Sequence, residues 1–143
     1  MGKTENRRFV AVKSDPRCHR DVSIKRYEDL EVWKTAHQAL LNTYRITKTH
    51  PSDERFLLVS QMRRAAMSIT ANIVEGFGRR RANDKIRFYN ISQASAEELS
   101  YFYRVSRDLG YLNEYVEVGQ LLNTVARMLK KLIQKTPELP FLP

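Results

Sequence analysis

The chain has 143 residues, 42% of them apolar and 29% charged, with five Gly and five Pro. That is enough for one domain with its own core, and too little Gly and Pro for a low-complexity chain. No apolar run approaches the roughly 18 residues that span a bilayer, Phe9 to Val12 is too short for a signal peptide, and the lone Cys18 has no internal partner and, beside His19, no second pair of metal ligands. A cytoplasmic protein is the expectation. Its net charge of +9 favours polyanionic partners, and nucleic acid is the commonest of these in a cell.

Residues 1–25 show no sustained period, and Lys3, Arg7, Arg8, Lys13, Arg17 and Arg20 are scattered among polar residues. They read as a disordered or loosely attached basic extension, with Phe9 and Val10 as possible docking residues. A first helix is expected to open near Asp29, whose carboxylate suits a helix start. Leu30, Trp33, Ala36/His37, Leu40 and Tyr44 follow at steps of three or four, and His50-Pro51 stops the run. His37 on that stripe reads as a packed, hydrogen-bonded histidine rather than a ligand or base.

Ser52 is the expected cap of the second helix, with Asp53 and Glu54 in its first turn. From Phe56 to Phe77 small and apolar residues recur on two faces. Leu58, Met62, Ala65, Ile69 and Ile73 form one; Phe56, Val59, Ala66, Thr70 and Phe77 form the other. Such a helix asks for cover nearly all round, so it is expected at the centre of a bundle or shared with a subunit contact. Gly76 or Gly78 is expected to supply the left-handed residue that ends it.

The connection to Asn83 is short, so a third helix capped by Asn83 must fold back on the second. Its expected seam is Phe88, Ile91, Ser95, Leu99, Phe102, Val105/Ser106 and Leu109, ended by Gly110. Asn113 is the expected cap of a fourth helix, with Val118, Leu121/Leu122, Val125, Met128/Leu129 and Leu132/Ile133 as its seam and Thr136-Pro137 as its end. The predicted fold is all-α, an antiparallel up-down-up-down four-helix bundle over residues 26–136, with a Pro-containing tail at 137–143.

Bundles often host metals, but none of His19, His37 and His50 follows a glutamate at the Glu-x-x-His spacing of a di-iron site. Gly76-Phe77-Gly78 lacks the Gly-Lys-Ser/Thr of a phosphate loop, and no serine occupies a nucleophile elbow. No catalytic residue, metal, cofactor or small-molecule substrate is therefore expected. If the second and third helices pair antiparallel, Arg63 comes level with Glu98, and Asn72 with Asn90. That predicts an Arg63 ion pair with Glu98 or Glu97 and a hydrogen-bonded layer of Ser68, Asn72 and Asn90, closed by Glu75. The basic group Arg79, Arg80, Arg81, Lys85 and Arg87 straddles the intervening turn, where free helix amides add positive charge, and is the expected phosphate-binding cluster. Arg104, Arg107, Lys130 and Lys131 are further surface cations. Tyr89, Tyr101 and Tyr103 are candidates for stacking on bases, weighed against plain packing.

Several of these stretches carry a resemblance: Leu30-Glu31-Val32-Trp33, Ser60 to Ala66, Ser68-Ile69, Asn72-Ile73, Glu75 to Arg79, Arg87 to Ile91, and Leu109-Gly110-Tyr111. From about Tyr27 to Gln134 the chain resembles a bacterial four-helix bundle family whose founding members are encoded in intervening sequences of 23S ribosomal RNA genes. Thr70 stands where many members carry proline. The resemblance implies a homo-oligomer, commonly a pentameric ring, with an architecture like that of the diversity-generating retroelement accessory protein, which binds nucleic acid through a basic surface. It implies no active-site residues. The expectation is a non-enzymatic oligomer that binds RNA or DNA through its basic turn, the alternative being a protein-interaction scaffold without nucleic-acid binding.

Overall fold

The computed structural model describes residues 23–138. The basic extension up to residue 22, with Phe9, Val10 and Cys18, and residues 139–143 of the tail lie outside the described residues. Four helices follow in order: α1 (Glu31–Thr47), α2 (Leu58–Gly78), α3 (Ala82–Asp108) and α4 (Val116–Lys135). Short 3-10 turns at Tyr27–Asp29, Ser52–Glu54 and Thr136–Glu138 flank them, and the described residues contain no strand. The all-α bundle expected from the periodicity is what forms.

Each helix packs against two others, α1 on α2 and α4 and α3 on α2 and α4, with α2–α3 the most extensive contact. Side chains place α2 and α3 in opposite directions. Met62 meets Ser106, Ser68 meets Ser95, and the Ser92 hydroxyl donates to the Ile69 carbonyl at 2.8 Å. Small residues on both helices, Ala65, Ala66, Ser92, Ser95 and Ala96, are buried between them, which lets the backbones approach closely enough for that bond. The approach is tight at Gly76: a Cβ there would lie 2.5 Å from Tyr89 Cε1.

Gly76 and Gly78 therefore do not play the left-handed role expected of one of them. Both lie inside α2, and the single positive-φ residue among those described is Gly110, with φ +78°, at the end of α3. A pair of helices this close needs a missing Cβ more than a turn signal. At Gly110 the Tyr111 and Gly110 amides bond back to the Ser106 and Arg107 carbonyls, both at 2.9 Å, closing the helix end. Thr70 is accommodated without a break, its hydroxyl donating to the Met67 carbonyl at 3.0 Å.

The inward face of α3 is turned by about one residue from the expected seam. Tyr89, Ser92, Ser95, Ala96, Leu99, Tyr103 and Ser106 are buried, whereas Ile91 and Leu109 are exposed and Phe88, Phe102 and Val105 lie half-buried at the edges. Proximity to α2 favours small side chains at Ser92, Ser95 and Ala96, while Tyr89, Leu99 and Tyr103 fill the rest of the buried face. A similar turn affects α1, which buries Val32, Ala36, Ala39, Thr43 and Thr47, leaving Trp33, Leu40 and Tyr44 half-buried. The ring of His37 stacks on Trp33 at 4.8 Å, packed as expected, but its side chain makes no hydrogen bond among the described residues. The seam of α4 is as read, with Val118, Leu122, Val125 and Leu129 buried.

The expected caps fall elsewhere. Asp29 precedes α1 and accepts the Lys25 and Arg26 amides at 3.0 Å, bracing the 3-10 turn. Glu54 rather than Ser52 serves α2, accepting the Leu58 amide at 3.2 Å. Phe56 stays outside the helix and is 82% exposed. Neither Asn83 nor Asn113 caps: α3 opens from Arg81 and α4 from Tyr115 with no side-chain cap. No described helix is long and apolar enough to cross a membrane.

Candidate nucleic-acid interface

The turn between α2 and α3 consists of Arg79, Arg80 and Arg81. Arg81 is extended, with φ −84° and ψ 138°, so the chain enters α3 abruptly and leaves the first amides of that helix without a side-chain acceptor. The first backbone bond runs from the Lys85 amide to the Arg81 carbonyl at 3.0 Å. Arg80, Arg81 and Arg87 are exposed and make no ion pair among the described residues. Arg79 is partly committed, pairing with Glu75 at 2.9 Å while its guanidinium lies 4.7 Å from the Phe88 ring centre. Asp84 is the one carboxylate in the first turn of α3.

Lys85 belongs to the same cluster by sequence but has a different task. Its Nζ donates to the carbonyls of Phe77 at 2.7 Å and Gly76 at 3.2 Å. Those are orphan acceptors at the negative end of α2, and a cation there satisfies them and the helix dipole together. Desolvation lowers its pKa. The lysine ties the turn to the bundle, and the three exposed arginines are what the turn presents to solvent.

The polar layer is rearranged from expectation. Ser68 and Ser95 hydroxyls bond at 2.7 Å, and Asn72 Nδ2 donates to the Ser68 carbonyl at 2.7 Å and its hydroxyl at 3.0 Å. Asn90 is exposed and Glu75 faces Arg79, so neither joins. The predicted pairing of Arg63 with Glu98 or Glu97 does not form. Arg63 turns to α1 instead, Nε donating to Thr47 Oγ1 at 2.9 Å and a terminal nitrogen to the Tyr44 carbonyl at 3.4 Å, with the guanidinium 4.6 Å from the Tyr44 ring centre. Neutral acceptors and an aromatic face hold this half-buried cation, and both glutamates remain in solvent.

Sequence periodicity missed a second polar group, which crosses the bundle diagonal between α1 and α3. The Thr43 and Tyr103 hydroxyls are buried and lie 2.8 Å apart; burial pushes the Tyr103 phenol up to about 12. His50 Nε2 bonds to Ser106 Oγ at 2.9 Å and Nδ1 has no hydrogen-bond partner among the described residues. Desolvation lowers the imidazole pKa. The usable signal was the spacing Ala36, Ala39, Thr43, Thr47, small residues at helical steps beside the more conspicuous aromatic stripe. Tyr89 and Tyr103 are both core, so Tyr101, 62% exposed, is the one of the three candidate tyrosines open to stacking. Arg104 and Arg107 both approach Asp108, at 3.9 and 3.4 Å. Lys130 and Lys131 are exposed on α4. Among the described residues, no three His, Cys, Asp or Glu side chains gather as metal ligands would.

Comparison with known proteins agrees with this architecture. No curated protein matches the chain. A crystal structure at 1.70 Å of a protein of unknown function from the S23 ribosomal protein family of Bacteroides thetaiotaomicron VPI-5482 superposes with a TM-score of 0.67 at 21% identity, covering 72% of this chain and 95% of that one. At that identity the likeness concerns the fold. The family model for the 23S rRNA-intervening sequence protein matches residues 28–131, which takes in all of α1, α2 and α3 and most of α4, and the chain belongs to that family.

Proposed function

We propose that this protein is a non-enzymatic, cytoplasmic homo-oligomer, a pentamer by resemblance, that binds RNA or nucleic acid more generally through the α2–α3 turn. The observation that carries the reading is the set Arg80, Arg81 and Arg87, exposed, unpaired among the described residues and gathered at the open amide end of a 27-residue helix. Arg79 adds a fourth guanidinium beside them, held by Glu75 and Phe88. Exposed guanidiniums and free amides are the donors that phosphate oxygens accept from. Such donors contact phosphate whatever the base, so affinity is expected to depend on backbone charge more than on sequence.

The test is fluorescence anisotropy with RNA and DNA oligonucleotides at rising salt. Wild-type binding is expected to weaken steeply, and the Arg80→Glu/Arg81→Glu/Arg87→Glu variant to lose it. Contact with three backbone phosphates corresponds to a log–log salt slope of about −2 to −3. Salt-insensitive binding, or none at low salt, rejects the reading. Self-assembly, common to this reading and to the scaffold alternative, has an apolar supply in Leu41, Phe56, Leu57, Met67, Ile91, Tyr101 and Leu109, all exposed on the isolated chain. Sedimentation of the same variant separates the two. Unchanged assembly with lost RNA binding supports the interface; intact assembly with no RNA binding by either protein supports the scaffold.

A further inference from the structure

At the other end of α2, about 30 Å away along a helix of 21 residues, the chain forms a half-open surface cavity of about 270 Å³. It lies between the end of α1 and the start of α2, and its walls come from Thr47, Lys48, His50, Ser52, Arg55 and Arg63, with Pro51 and Val59. Three of these side chains are cationic and none is acidic. Lys48, Arg55 and Arg63 make no ion pair among the described residues. The nearest carboxylates in sequence, Asp53 and Glu54, do not line the cavity; Glu54 is held away from it by the Tyr111 hydroxyl at 3.0 Å and the Leu58 amide at 3.2 Å, and its charge acts on His50.

We infer that this cavity is a second anion site, built to take one phosphate group, either from a nucleic-acid backbone or from a free phosphorylated molecule. The wall is preorganised on one side. Arg63 is fixed by Thr47, the Tyr44 carbonyl and the Tyr44 ring, so part of the ordering entropy of a guanidinium donor is already lost before an anion arrives. On the other side Arg55 lies over the Phe56 ring at 5.4 Å, Lys48 is exposed, and the Ser52 hydroxyl is a further donor. Three like charges around one concavity repel one another, and a bound anion relieves that repulsion where water only screens it. The site stands on its own geometry. Only its assignment to a backbone phosphate rests on the nucleic-acid reading above.

The experiment uses the full chain and inorganic phosphate as probe, followed by amide NMR shifts, with Lys48→Ala/Arg55→Ala as the variant because both side chains are exposed. Saturable shifts confined to residues 47–63, at least tenfold weaker in that variant and unchanged in Arg80→Glu/Arg81→Glu/Arg87→Glu, support the site. Absence of saturation, or equal response in the Lys48/Arg55 variant, overturns it. A second arm measures RNA affinity against salt. A shallower slope in the Lys48/Arg55 variant identifies the source as backbone phosphate, and an unchanged slope with lost phosphate binding identifies a free phosphorylated ligand. Phosphate binding without any RNA binding leaves the cavity standing and removes the nucleic-acid reading; RNA binding without a phosphate response does the reverse.

Discussion

The two ends of α2 both concentrate positive charge, but they hold it differently. At its C-terminal end three arginines stand in solvent and a fourth pairs with Glu75, while Lys85 points inward to carbonyls of Gly76 and Phe77. At its N-terminal end Arg63 is half-buried on Tyr44 and Thr47, and Lys48 and Arg55 surround a cavity. Each end thus spends one cation on the architecture and keeps others for the surface. Neither Lys85 nor Arg63 is neutralised by a carboxylate among the described residues. Carbonyls, a hydroxyl and an aromatic face suffice, because partial charges satisfy a half-buried cation without a second ion to desolvate.

The comparison can be broken most forcefully at Gly76. Gly76→Ala sets a methyl against the Tyr89 ring at 2.5 Å and is expected to destabilise the fold by about 1–3 kcal/mol, read as a lower denaturation midpoint. Gly78→Ala, with nothing within 4 Å, is the control and should not destabilise. Arg63→Ala tests the opposite end. Loss of its two hydrogen bonds and the Tyr44 contact is expected to cost about 1–2 kcal/mol, whereas Glu98→Ala should change stability by less than about 0.5 kcal/mol. An equal effect of the two would restore the ion pair that the structure excludes.

Smaller changes sharpen the division between structural and exposed cations. Lys85→Met uncovers the last carbonyls of α2 and is expected to lower stability by about 1 kcal/mol, with less loss of RNA affinity than Arg80→Ala/Arg81→Ala. That double variant should leave the melting temperature nearly unchanged. The mildest effect is a pH slope. The folded-state pKa of His50 lies below its ordinary 6.5, so the unfolded chain binds more protons in that range. The His50 contribution is complete above pH 6.5 and is lost as pH falls through the lower folded-state value. Comparing wild type with His50→Gln at pH 7.5 and 5 should show a shallower decline in the variant.

What the amino-acid order determined by itself is the number of helices, their approximate extent, the seam of α4 and the basic turn. Those follow from apolar spacing, from Pro51 and Gly110, and from three consecutive arginines, all local signals. The tertiary structure decided which face of α1 and α3 turns inward, because close packing within the bundle selects Ala36, Ala39, Ser92 and Ala96 over the larger residues beside them. It likewise decided where the cations go. Lys85 and Arg87 look alike in the chain, yet the carbonyls that capture one and leave the other in solvent exist only once α2 has ended above α3.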